Sequence, residues 1–136
     1  MPERRFFDSP AQRPITLESG SVRLPILLYQ GSAITASFIG SRRAVEQLLP
    51  ARLRPAPWLP GMAVLSVVCF EYRDASIGPY SEVALAIPCT LAGGGPLAEL
   101  RTLGVYLWQL PVTTRLALDA GVSVWGYPKF LAEIEH

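Results

Sequence analysis

Met62-Ala63-Val64-Leu65-Ser66-Val67-Val68-Cys69-Phe70 is a near-continuous apolar run in which Ser66 is the one polar side chain. It is rich in valine, whose branching at Cβ favours extended backbone, and it is shorter than an ordinary helix. It therefore predicts a strand buried on both faces. Downstream, Glu82 to Leu91 predicts a second such strand and Arg101 to Leu110 a third, with Gly93-Gly94-Gly95-Pro96 as a turn between them. Upstream, Val22 to Tyr29 and Ile34 to Ile39 are apolar stretches separated by Gln30-Gly31-Ser32, read as a turn. Residues 1–20 are polar and proline-bearing and read as an extended arm. Ser41 is placed to cap a short helix, Arg42 to Leu49, and Pro55, Pro57 and Pro60 make the next segment a stiff loop. Val112 to Ala120 has helical spacing, with Gly121 where a left-handed C-cap belongs. Another strand begins at Phe130. The class is α+β, mostly β, in one domain over 1–136, with a barrel or sandwich expected.

Composition bounds the function. The 136 residues are 50% hydrophobic and 17% charged, with a mean hydropathy of +0.29. A chain of this size builds one core without disulfides or metals. Thirteen prolines argue against a helical bundle. A net charge of +1 gives no clustered basic face, so no nucleic-acid partner is expected. The longest charge-free run, Leu24 to Ser41, is broken by Pro25, Gln30 and Gly31, so no membrane span is expected. The first ten residues carry both charge signs and no apolar signal core. Cys69 and Cys89 are too few and too far apart for a disulfide framework, and read as buried free thiols. These features together predict a soluble, reduced, cytoplasmic protein.

Eleven of the twelve basic residues are arginine; the one lysine is Lys129. Arginine replaces lysine wherever a plain positive charge suffices, but it cannot be deprotonated in a protein. An amine that attacks a carbonyl must be neutral, and only lysine manages that. The flanking Val124-Trp125-Gly126-Tyr127-Pro128 and Phe130-Leu131 are apolar, and apolar surroundings disfavour the charged form of an amine. Pro128 fixes the backbone entering the lysine. Two readings remain open on these grounds: a nucleophilic amine, or a solvated surface charge in an arginine-rich chain.

Trp125-Gly126-Tyr127-Pro128-Lys129 resembles the aromatic-Pro-Lys signature of the acetoacetate decarboxylase-like superfamily. Gly78-Pro79-Tyr80-Ser81-Glu82 is similar to that family's Tyr-x-Glu segment, and Leu48-Leu49-Pro50 and Leu59-Pro60-Gly61 look like its amino-terminal half. The resemblance runs from about residue 20 to the end. It implies a β-rich, cone-like barrel, incomplete here because the family's carboxy-terminal half is missing, so that a fragment or a homo-oligomer is expected. It also implies a Schiff base between Lys129 and a small oxo acid or ketone, with the iminium as electron sink and no cofactor or metal. Glu82 matches the acidic position and would move protons or orient substrate, while Tyr80, Trp125, Tyr127 and Phe130 would line the pocket. Decarboxylation of a β-keto acid is the first expectation. Aldol condensation with dehydration, or carbonyl or lipid binding without chemistry, are the alternatives.

The chain departs from the family pattern at several places. Phe130 stands where the decarboxylases carry a second lysine, and Val122-Ser123 where they carry an arginine–glutamate pair. The family's carboxylate-handling arginine and first glutamate fall near Gly31 and Val68. Burial is left as the route to an activated Lys129. Elsewhere, Arg42-Arg43 reads as a solvated face, Gly93-Gly94-Gly95 as a turn without the Lys-Ser/Thr or helix of a phosphate loop, and His136 as a poor metal ligand. Trp58 and Trp108 read as core, and Asp119 as the polar side of a helix end.

Overall fold

The structure is a computed structural model that describes residues 11–93 and 95–135, with Pro96, Ala98 and Leu100 described by their backbone alone. Among the described residues eight strands and three helices follow one another: β1 (Arg13–Leu17), β2 (Gly20–Leu24), β3 (Leu28–Ser41), α1 (Arg42–Glu46), β4 (Leu53–Pro55), β5 (Met62–Ala75), β6 (Tyr80–Leu91), α2 (Pro96–Arg101), β7 (Gly104–Val112), α3 (Arg115–Trp125) and β8 (Lys129–Leu131). β1 and β2 form an antiparallel hairpin with Arg13 opposite Leu24 and Leu17 opposite Gly20. The remaining strands form one sheet in the order β3-β5-β6-β7-β8, with β4 beside β6. Among the described residues neither sheet closes on itself, so the mostly-β class holds with open sheets in place of a barrel.

Several local expectations are corrected. The arm expected over 1–20 is, from Arg13 on, one side of the β1–β2 hairpin; its first ten residues lie outside the described residues. Gln30-Gly31-Ser32 is not a turn but continuous strand within β3. Gly31 is there for closeness: a Cβ would lie 2.9 Å from the Glu71 carbonyl oxygen and 3.1 Å from Tyr72 Cδ1. β5 is half-buried along most of its length rather than covered on both faces. α1 stops at Glu46, and Ser41 makes no side-chain cap bond; Leu48 and Leu49 follow in tighter turns, bonded back to Val45 and Glu46. The third strand starts at Gly104, because Arg101 ends a six-residue helix that does follow the glycines. α3 runs on through Gly121 to Trp125, and the left-handed residue is Gly126, with φ of 67°. Trp58 is exposed, whereas Trp108 packs on the core.

The described chain divides into two compact units. One holds the described residues up to Ala33, Phe70–Glu82 and the described residues from Val112 on; the other holds Ile34–Cys69 and Val83–Pro111. In the second unit Val45, Ala63 and Ile87 are the buried centre, with Leu49, Tyr106 and Trp108 packed on them. Ile87 is wholly buried there, which contributes roughly 1.5–3 kcal/mol relative to exposure. Cys89 is buried and Cys69 half-buried, both as free thiols. The first unit carries Lys129, Glu82 and Tyr80, and with them the candidate site. No helix among the described residues is long and apolar enough to cross a membrane.

Candidate active site

Lys129 owes its position to how α3 ends. Thr114 caps the start of the helix by accepting a bond from the Ala117 N–H. At the other end Gly126 takes the left-handed conformation, and the N–H groups of Gly126 and Tyr127 donate to the carbonyls of Val122 and Gly121. Pro128 follows, the Lys129 N–H donates to the Tyr127 carbonyl at 2.8 Å, and the chain turns back as β8. The Ala132 N–H then donates to the Val112 carbonyl, fastening β8 beside β7. This reversal lays the lysine stem across the buried face of α3. There Gly121 leaves room for it: a Cβ would come within 2.5 Å of Lys129 Cε and closer still to Cδ.

Glu82 reaches the same point from the start of β6. Alternation along the strand puts Tyr80 and Glu82 on one face. Lys129 Nζ donates to Glu82 Oε2 at 2.5 Å. Both side chains are withdrawn from water, 8% exposed for Lys129 and 11% for Glu82. Charge-assisted bonds of this kind are among the shortest and strongest in proteins. The Tyr80 ring lies below the amine, its centroid 5.7 Å from Nζ, within range of a cation–π attraction. Tyr72, from β5, tilts against Tyr80 at 4.7 Å between centroids and stacks on Phe70 at 5.6 Å.

These groups surround a cavity of about 360 Å³, within the usual range for ligand pockets. Ala117, Ala120 and Gly121 form its small-residue wall on α3, and Pro25, Ile26 and Ile77 add apolar surface. Trp125 and Tyr127 stack at 6.1 Å and are partly exposed at its rim. Burial first, and the Glu82 charge second, push the Tyr72 phenol up to about 12; the Tyr80 phenol is pushed further in the same direction, with Tyr72 adding to it. Both hydroxyls therefore stay neutral.

Of the residues singled out in the sequence, Lys129, Glu82, Tyr80, Trp125 and Tyr127 come together at this cavity. Phe130 does not: it follows Lys129 on β8, alternation turns it to the opposite face, and it is 43% exposed. Asp119 lies in the body of α3, half-buried, with Oδ2 buried and unpartnered. Sequence reasoning missed Tyr72 and Gly121. Tyr72 had a signal in its spacing of two from Phe70, which places both rings on one face of a strand. Gly121 had one in the cost of glycine inside a helix, about 1 kcal/mol, which calls for a packing reason.

The sequence matches the family model described as acetoacetate decarboxylase (ADC) over residues 9–136. No curated protein matches it. Among solved structures, an acetoacetate decarboxylase from Legionella pneumophila subsp. pneumophila str. Philadelphia 1 is similar with a TM-score of 0.65 and 18% identity, over 93% of this chain and 45% of that one. A second structure, described as structural studies of acetoacetate decarboxylase, is similar with a TM-score of 0.65 and 20% identity, over 91% of this chain and 42% of that one. A third, an acetoacetate decarboxylase-like enzyme from Sphingomonas wittichii RW1, has a TM-score of 0.52 and 23% identity, over 74% of this chain and 39% of that one. The chain thus spans less than half the length of each of these solved structures.

Proposed function

This chain belongs to the acetoacetate decarboxylase family, and from that premise we propose that it is a Schiff-base-forming lyase acting on a small oxo acid or ketone through Lys129. The observation that carries the reading is the buried Lys129–Glu82 pair at the wall of an aromatic cavity. Lys129 and Glu82 meet at 2.5 Å with both side chains buried, where desolvation opposes the pair.

Glu82 takes a proton from the ammonium, and the neutral amine attacks the carbonyl carbon. A C–N bond forms, the carbonyl π pair moves to oxygen, and that oxygen leaves as water. One of its two protons returns from Glu82 and the other comes from the nitrogen. The product is an iminium cation beside the restored Glu82 carboxylate and over the Tyr80 face. The iminium then draws an electron pair from an adjacent bond. In a β-keto acid that bond is C–CO2, carbon dioxide leaves, and an enamine forms; in a ketone it is C–H, with Glu82 taking the proton. Protonation of the enamine carbon and hydrolysis by water release the product and the free lysine.

The test is carbonyl oxygen exchange in isotopically labelled water, with acetone and acetoacetate as probes. Each cycle of imine formation and hydrolysis replaces the ketone oxygen with one from solvent. The wild-type chain is expected to accelerate exchange, and Lys129→Arg to show none above buffer. Equal rates for wild type, Lys129→Arg and buffer would overturn the reading.

A further inference from the structure

Glu82 is the one carboxylate among the described residues that line this cavity. Its carboxylate is buried at the amine and already balances the one cation among the described residues lining the cavity. After imine formation the same carboxylate balances the iminium. The Tyr80 ring lies beneath the reacting nitrogen, with Tyr72 tilted against it, and aromatic faces attract cations and repel anions. The Glu82 field already reaches both phenols. A carboxylate carried in by the substrate would thus meet a cavity whose positive charge is spoken for, facing a buried negative one. At the rim, the stacked pair of Trp125 and Tyr127 offers flat apolar surface to whatever extends outward from the carbonyl.

We infer that Lys129 takes an uncharged ketone with an apolar or aromatic arm in preference to an oxo acid. This rests on the Schiff-base step proposed above, narrows its substrate, and puts proton transfer in place of C–CO2 cleavage as its outcome. On such a ketone the cycle is proton transfer: the iminium loses an α-proton to Glu82, the C–H pair becomes the enamine double bond, and the electrons return to carbon when the enamine is reprotonated. No carbon dioxide is released and no oxidant is required.

Cyanoborohydride trapping on the full chain tests this with four probes: levulinate, its methyl ester, benzylacetone and acetone. The first two differ at the carboxyl group and leave the carbonyl alike. Methyl levulinate is expected to label Lys129 at least roughly tenfold faster than levulinate, as like-charge repulsion in a low-dielectric site demands. Glu82→Gln is expected to shrink that ratio several-fold. Trp125→Ala is expected to slow labelling by benzylacetone relative to acetone. Levulinate labelling as fast as its ester, or a ratio unmoved in Glu82→Gln, would overturn the charge preference while leaving the Schiff base intact. An unmoved benzylacetone-to-acetone ratio in Trp125→Ala would overturn the aromatic arm. No adduct with any probe would instead overturn the Schiff-base reading itself, and the inference with it.

Discussion

Lys129 Nζ lies 2.5 Å from Glu82 Oε2, joining the first residue of β8 to the third residue of β6 across forty-seven positions of sequence. Because both side chains are buried, the pair is costly to break from one side. Removing one partner of such a pair typically costs about 3–5 kcal/mol, since the other charge is left uncompensated. Lys129→Met is therefore expected to lower unfolding free energy by about 3 kcal/mol, and Lys129→Met with Glu82→Leu to recover at least half of that loss. Urea unfolding of the three proteins measures both numbers; a double variant no more stable than Lys129→Met would contradict the account.

Gly121→Ala separates packing from chemistry. Alanine favours a helix interior by about 1 kcal/mol over glycine, so the backbone gains. The added methyl group, however, occupies the space of Lys129 Cδ and Cε and must displace the amine from Glu82. The expected outcome is a melting temperature near wild type or modestly lower, with imine trapping reduced at least roughly tenfold, the equivalent of 1.4 kcal/mol. Undiminished trapping would mean that the lysine stem does not need the groove that Gly121 leaves.

Gly126→Ala provides the contrasting case. Its φ of 67° is left-handed and nothing lies within 4 Å of an added Cβ, so the substitution strains the backbone without touching the cavity. A loss of about 1 kcal/mol in stability is expected, and thermal unfolding measures it. A gain in stability would contradict the left-handed cap.

Much of this arrangement was legible in the sequence, for identifiable reasons. Met62–Phe70 and Glu82–Leu91 were readable as strands because apolar, branched runs have few other fates. Lys129 stood out because it is the one amine side chain in a chain of arginines, and Tyr80 and Glu82 because their spacing of two places them on one face. What was not legible depended on neighbours distant in sequence. Gly31 and Gly121 were read by local rule as turn and cap, yet each is glycine because another part of the chain crosses it: Glu71 and Tyr72 in one case, the Lys129 stem in the other. Phe130 was grouped with Lys129 by adjacency, and strand alternation separates them. The hairpin at Arg13–Leu24 was hidden by Pro14 and Pro25, which suit a sheet edge as well as an arm.

High pH probes the aromatic wall. An unfolded tyrosine loses its proton near pH 10, whereas Tyr72 holds its own to about 12 and Tyr80 beyond that. In that window the folded chain binds more protons than the unfolded one. The contribution is fully present below about pH 10 and is lost as pH rises toward about 12, so stability falls with rising pH. Phenolate absorbance is expected to show Tyr72 and Tyr80 ionising well above pH 10, together with unfolding, and Tyr72→Phe with Tyr80→Phe to flatten the fall. Complete ionisation of all five tyrosines near pH 10 in the folded chain would contradict it.

The two thiols differ in burial. Cys89 is buried, and burial pushes its thiol above the usual range, so little thiolate is present; Cys69 is half-buried. Iodoacetamide at pH 8 is expected to label Cys69 before Cys89, with Cys89 reacting at the rate of unfolding. Mass spectrometry of the labelled peptides over time reads the order directly.

The measurement closest to the central claim is the site of a reduced imine. The chain holds one lysine, so its side-chain amine can be told apart from the terminal amine by peptide mass alone. Incubation of the folded protein with benzylacetone and cyanoborohydride, followed by peptide mapping, is expected to place the added mass on Lys129, and Lys129→Arg to abolish that adduct. Folded wild-type protein that accumulates no adduct on Lys129, or accumulates it on the terminal amine alone, would contradict the account.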